Sequence, residues 1–157
     1  MNGTVEIHRL SANFFSTYPH DQYPEILLKQ TRPYACLLIK YIDGTFICVP
    51  FRTNIRHPYA YHFRTSQRSR DNGSGLDYTK SLLIWDKSYL DTSTPTLVDT
   101  DEYVETVRNL PRITDEVFCY IADYRDHING LRLLHPREYQ RRYGKSTLPY
   151  FDQFFKK

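Results

Sequence analysis

The chain has 157 residues and a formal net charge of +3, from 21 Lys and Arg against 18 Asp and Glu. Hydrophobic residues make up 40% and charged residues 25%, the balance of a globular protein rather than a disordered one. No apolar run reaches the roughly 20 residues that cross a bilayer, and "MNGTVEIHRL" lacks the apolar region of a signal peptide. These features predict one cytoplasmic domain spanning 1–157, with no membrane partner.

"TVEIHRL" (Thr4 to Leu10) alternates and predicts a strand. Residues 11–31 hold Pro19 and Pro24 and predict short helical turns and loops. "YACLLIKYI" and "TFICVPF" are apolar runs separated by Asp43-Gly44, a strong hairpin signal because both turn positions need positive φ. The second run leads through Pro50 into an arginine-rich segment that closes with the turn-rich "RDNGSGLDY". "KSLLIWD" predicts a further strand beginning at Lys80. Asp99, with Glu102 three residues on, has the form of a capping box, followed by Tyr103, Val104, Val107 and Leu110 at helical spacing. Pro111 interrupts this pattern, and Ile113, Val117, Ile121, Tyr124 and Ile128 resume it, with Thr114 as the expected cap. "HPREYQRRY" predicts a short basic helix, and Leu148, Phe151 and Phe155 form an apolar face on the tail. Strands early and helices late give an α+β fold: a small antiparallel sheet or half-open barrel with helices against it.

Cys36, Cys48 and Cys119 lie in apolar sequence without metal-ligand spacing, so they read as reduced core thiols. No metal or other cofactor is expected. The acidic stretch from Asp86 to Glu105 reads as a solvated face and a helix start.

Between Asp43 and Asp71 there is no acidic residue, whereas Arg52, Arg56, Arg64, Arg68 and Arg70 fall in that gap with His57 and His62. Tyr59, Tyr61 and Phe63 lie between the charges. Guanidinium groups grip phosphates, and aromatic rings offer a face to unstacked bases, so the segment points to RNA. Metal-free RNA cleavage by the ribose 2′-hydroxyl needs alignment, charge stabilisation on the phosphorane and two proton transfers. "FRTNIRH" supplies Arg52 and Arg56 as charge clamps, Thr53 and Asn54 as neutral donors, and His57 as a proton carrier. Lys80 joins them if its strand runs alongside. Each residue also has a plainer reading: solvated arginines, Thr53 and His57 as turn residues, Lys80 as an edge charge. On the residues alone, a nuclease and a non-catalytic RNA-binding module both stand.

Three segments taken in order, "RPYACLLIKYIDGTFICVPFRTNIRHPYAY", "GLDYTKSLLI" and "RRYGKSTLPYFDQFF", resemble the TenpN toxins, endoribonuclease components of type III toxin–antitoxin systems. The wider superfamily includes ToxN, CptN and AbiQ. The resemblance runs from about Pro24 to Phe155. It implies a compact MazF/Kid-like, SH3-like half-open barrel with added helices. It also implies metal-independent cleavage leaving a 2′,3′-cyclic phosphate, and a role in abortive infection against phage. The implied partners are target RNA and a repeat-derived pseudoknot RNA antitoxin, which the toxin processes and which then inhibits it in an RNA–protein assembly, with no DNA bound. Thr53 stands where relatives commonly have Ser, Arg32 where they have a basic residue before the hairpin, and Arg56 and His57 where they have lysines. Thr79 falls on the strand beside the site. Arg32, Tyr59, Tyr61, Arg64 and Arg68 form the expected RNA track, and Arg137, Arg141 and Arg142 a second basic surface for the antitoxin.

Overall fold

A near-continuous apolar run such as "FICVPF" suits a strand covered on both faces, and that strand organises the sheet. The computed structural model describes residues 5–28, 34–93 and 95–157. In it β3 (Phe46–Arg52) is buried along all but its ends. It pairs with β2 (Ala35–Lys40) from Cys36↔Pro50 to Lys40↔Phe46, forming the expected hairpin. Asp43 (φ 49°) and Gly44 (φ 79°) both adopt positive φ, and the Thr45 amide donates to the Ile42 carbonyl at 3.0 Å. Beyond β2 lie β1 (Glu6–Leu10) and then, past it, β7 (Leu90–Asp91).

The other edge of β3 is divided. Phe46 to Cys48 pair with β6 (Leu82–Ile84), and Phe51 and Arg52 pair with β5 (Gly75–Asp77), which in turn pairs with β4 (Ala60–His62). The break falls at Val49 and Pro50, and proline has no N–H to offer a second neighbour. Opposite that break the chain leaves β5 in a 3₁₀ turn, Tyr78–Lys80, before rejoining as β6. The strand expected to begin at Lys80 therefore begins at Leu82, and Lys80 belongs to the turn. The seven antiparallel strands among the described residues run in the order β4-β5-β3-β2-β1-β7, with β6 also on β3. The sheet stays open, since β4 and β7 end the path.

Among the described residues six α-helices accompany the sheet. α1 (Ala12–Thr17) and α2 (Gln67–Asn72) are each capped by a serine, Ser11 and Ser66. α3 (Thr100–Arg108) follows the cap Asp99, and α4 (Leu110–Ile128) starts one residue later. Asn109 (φ −113°, ψ 15°) makes the break, and Pro111 sits in the first turn of α4, where its missing N–H costs nothing. Thr114 is thus inside the helix rather than its cap. α4 buries Ile113, Val117, Ile121 and Tyr124, as its spacing predicts, and Tyr120 besides, while Ile128 is half-buried. α5 (Pro136–Tyr143) is the expected basic helix, and α6 (Asp152–Phe155) ends a tail whose Leu148, Phe151 and Phe155 are buried in the core. No helix is long and apolar enough to cross a membrane among the described residues.

α3 reverses the expected burial. Tyr103, Val104 and Val107 are exposed, while Glu102, Glu105 and Thr106 are buried. The inward carboxylates are answered by the arginine-rich segment. Glu102 Oε2 accepts from Ser66 Oγ at 2.7 Å and Ser74 Oγ at 2.6 Å. Glu105 accepts from Tyr61 Oη at 2.6 Å, the Arg64 amide at 3.0 Å, and the Thr65 amide and hydroxyl at 3.1 and 2.9 Å. The acidic stretch read as a solvated face is, at these two positions, an internal clamp. Of the three thiols, Cys36 and Cys48 are buried but Cys119 is exposed, contrary to a core placement for all three.

Two expectations follow. A Cβ at Gly75 would collide with the Tyr61 carbonyl oxygen, where β4 and β5 approach. Gly75→Ala is therefore expected to lose about 1–3 kcal/mol of unfolding free energy, read by urea titration. The second concerns acid. Burial by itself would raise the Glu105 pKa, but hydrogen bonds from Tyr61, Arg64 and Thr65 outweigh it and hold the carboxyl below its ordinary value. A depressed folded pKa stabilises above the unfolded value, about 4.3 for glutamate, and that stabilisation disappears as pH falls through the folded one. The melting temperature should drop below about pH 4, and Glu105→Gln should make the drop shallower.

Candidate functional site

Arg52 closes β3 and Asp77 closes the neighbouring β5, so the strand register itself brings an arginine beside an acid. Asp77 is completely buried. Its Oδ2 accepts from Arg52 Nη1 at 2.8 Å, and its Oδ1 accepts from the Thr79 hydroxyl at 2.6 Å and the Thr79 amide at 3.0 Å. His57 Nε2 lies 3.1 Å from Oδ1, buried and without an aligned hydrogen bond. Burial works to raise the Asp77 pKa; the contacts with His57, Thr79 and Arg52 prevail and keep the carboxyl ionised below its usual range. The other ring nitrogen of His57, Nδ1, accepts from the Tyr59 amide at 3.1 Å, which leaves the ring proton on Nε2, facing Asp77.

Above this cluster is a recess of about 250 Å³ bounded by His57, Tyr59, Thr79, Arg141, Arg142 and Lys145. Tyr59 and Arg142 also border a larger cleft of about 630 Å³, so the two adjoin. The cleft is walled by Tyr61, Tyr78 and Tyr120 and carries the Arg112–Glu116 ion pair at 2.8 Å.

The expected residues divide by what their side chains hold. Arg52 is committed to Asp77, and Arg142 to Asp123 at 2.8 Å and Glu138 at 3.6 Å. Arg141, Arg56 and Lys145 are exposed, with no side-chain partner among the described residues. Arg141 and Arg142 both line the His57 recess. Arg137, one turn back on α5, borders neither recess. Thr53 is half-buried, with no side-chain hydrogen bond among the described residues. Asn54 is exposed at φ 59°, a left-handed position that asparagine tolerates, and its amide is tied to the Asn72 carbonyl. Tyr59 and Arg64 line the cleft. Tyr61 lines it too, but its hydroxyl is spent on Glu105, and burial with that bond pushes its pKa up to about 12. Arg68 points to Glu102 at 3.7 Å, away from both recesses. Arg32 lies outside the described residues.

Lys80 does not converge with the cluster. It is buried, and its Nζ donates at 2.7 Å to both Glu25 Oε1 and the carbonyl of Lys145. Lys80 thereby fixes the backbone that presents Lys145. Sequence reasoning missed Asp77 and Lys145, though both stand in the quoted segments "GLDYTK" and "RRYGKS". The signal available was an acid one strand from the arginines and a lysine beyond a basic helix. Among the described residues no group of three or more His, Cys, Asp or Glu is arranged to hold a metal ion.

Comparison of the chain with protein-family models, curated proteins and solved structures finds no match.

The cluster separates anchoring charges from free ones, and stability measurements should register the difference. Asp77→Ala leaves Arg52 and His57 without their carboxylate and is expected to cost about 3 kcal/mol in denaturant unfolding. Arg141→Ala should stay within about 0.5 kcal/mol of the wild type.

Proposed function

We propose that the protein is a metal-independent endoribonuclease that cuts RNA through the ribose 2′-hydroxyl, with the His57 recess as its active site. The observation that carries this reading is the buried Asp77 holding Arg52, His57 and Thr79 beneath a recess edged by the unpaired cations Arg141 and Lys145. A scissile phosphate in that recess meets fixed positive charge in a partly enclosed setting, where preorganised charge acts most strongly. The 2′-hydroxyl replaces the Tyr59 amide as the partner of His57 Nδ1 and gives up its proton there as the 2′-oxygen attacks phosphorus. Asp77 stabilises the imidazolium that forms, the role a buried aspartate plays beside a catalytic histidine. Arg141 and Lys145 balance the phosphorane charge. The bond to the 5′-oxygen breaks, that oxygen takes a proton from the Lys145 ammonium, and a 2′,3′-cyclic phosphate remains. Lys80 acts through Lys145 by holding its carbonyl.

The resemblance to the TenpN toxins supports the wider setting: a type III toxin in the bacterial cytoplasm, inhibited by a pseudoknot RNA that it processes, and acting against phage. The open antiparallel sheet, with its divided central strand, is the part of the fold on which we base a half-open SH3-like barrel of the MazF/Kid kind. One observation favours a second reading. Both ring nitrogens of His57 face protein groups, which suits a non-catalytic RNA-binding module.

Incubation with bacterial RNA in EDTA decides between them. The nuclease reading expects discrete cuts ending in 2′,3′-cyclic phosphate, slowed about 10²-fold or more in His57→Ala and in Lys145→Ala. RNA bound at low salt but left intact would establish the binding module instead.

A further inference from the structure

The larger cleft has its own chemistry, distinct from phosphate binding. Its walls are the rings of Tyr59, Tyr61, Tyr78 and Tyr120, and on its rim Glu116 lies between two donors. Tyr78 Oη donates to Glu116 Oε1 at 2.7 Å and Arg112 Nε donates to Oε2 at 2.8 Å. Each carboxylate oxygen offers two lone-pair directions, so each keeps one for a ligand. The Glu116 and Arg112 side chains are 37% and 56% exposed, which leaves both within reach of a ligand in the cleft. Burial, reinforced by the bond to Glu116, raises the Tyr78 pKa and keeps that phenol a donor. Arg112 packs over the Tyr61 ring at 5.5 Å; it meets Glu116 through Nε, and its two terminal amino groups make no hydrogen bond among the described residues.

The rim therefore presents two acceptors next to a donor. Among the RNA bases, only guanine carries two adjacent donors, N1–H and the 2-amino group, followed by an acceptor, O6. Adenine and cytosine would set a ring acceptor against the carboxylate, and uracil offers one N–H between two carbonyls. Bases outside a duplex are read in this way, by stacking on aromatic rings and by hydrogen bonds along the Watson–Crick edge.

We propose that this cleft is a guanine-binding pocket, in which Glu116 accepts from N1–H and the 2-amino group, Arg112 donates to O6, and Tyr59 offers a stacking face. Because Tyr59 and Arg142 border both recesses, the guanine belongs to a nucleotide flanking the scissile phosphate. That placement rests on the reading of the His57 recess as the phosphate site; the base selectivity does not. The protein then cuts, or holds, single-stranded RNA beside guanine.

Uncleavable 2′-O-methyl pentanucleotides, uridine except for a central G, inosine, A or C, test the pocket by fluorescence anisotropy at one fixed salt concentration. The G oligonucleotide is expected to bind about tenfold tighter than the A, C and all-U ones, the discrimination of one good bidentate contact. Inosine lacks the 2-amino group and should lose most of that gain. Glu116→Gln should erase the preference, so that the G oligonucleotide and the all-U one bind that variant with equal affinity. In the wild-type protein, Cys119 lines the cleft and is exposed while Cys36 and Cys48 are buried, so maleimide labelling of Cys119 reads occupancy directly. The G oligonucleotide should slow labelling and the all-U one should not. Affinities within about twofold for all bases, with labelling unaffected, would overturn the pocket. Cleavage without a guanine preference would overturn this inference and leave the nuclease standing. Guanine selectivity in a protein that never cuts would do the reverse.

Discussion

Arginines crowded into one segment repel one another unless acids are brought to them, and this chain brings its acids from far along the sequence. Asp77 reaches Arg52 and His57 across the β3–β5 pairing. Glu105 receives the Tyr61 hydroxyl and the Arg64 and Thr65 amides, and Glu102 receives Ser66 and Ser74 with Arg68 beside them. Most of these contacts are with hydroxyls and backbone amides. The carboxylates therefore fix the path of the segment without cancelling most of its charge. A buried carboxylate with several donors is stable where a bare one is not. The basic loop is consequently a shaped surface, with the Arg56 side chain left free, among the described residues, to meet an anion.

The same economy appears where the two recesses meet. Lys80 and Arg142 are cations with internal duties: Lys80 holds Glu25 and the Lys145 carbonyl, and Arg142 is bound to Asp123 and Glu138. They shape the walls, while Arg141 and Lys145 supply charge that a ligand can use. On the far side of Tyr59 the character changes from cationic to aromatic and amphoteric. A nucleotide has those two halves, a phosphate and a flat base with polar edges, and the two recesses lie next to one another in the same way.

Local patterns revealed much of the fold. Asp43-Gly44 between two apolar runs marked the hairpin, the 3.6-residue spacing of Ile113, Val117, Ile121 and Tyr124 marked the buried face of α4, and Leu148, Phe151 and Phe155 marked the docked tail. α3 was read inside out because hydropathy counts Glu102 and Glu105 as solvent-seeking. It takes no account of the hydroxyls and amides that meet them from 40 residues upstream, such as Thr65 for Glu105. The arginine-rich segment was legible as the centre of interest, but its partners were not. Asp77 is silent in a window of its neighbours and becomes meaningful only through the register Phe51↔Leu76. Lys80 looked available because a charge at a strand start normally faces water; the gap at Pro50 turns it inward instead. Arg141 and His57 are 84 positions apart, and only the packing of α5 against the sheet puts them on one recess.

The central claim is that an RNA phosphate and ribose engage His57 at the Asp77 cluster, and nitrogen NMR of the imidazole tests it most directly. With 15N-labelled histidine, the account predicts that an RNA made uncleavable by a methylene in place of the scissile 5′-oxygen, with its 2′-hydroxyl intact, shifts the His57 Nδ1 resonance, as that nitrogen exchanges the Tyr59 amide for the 2′-hydroxyl. Nε2 should stay protonated toward Asp77. A His57 signal unmoved by saturating RNA, while backbone amides elsewhere shift, would contradict the account and place the RNA on another face.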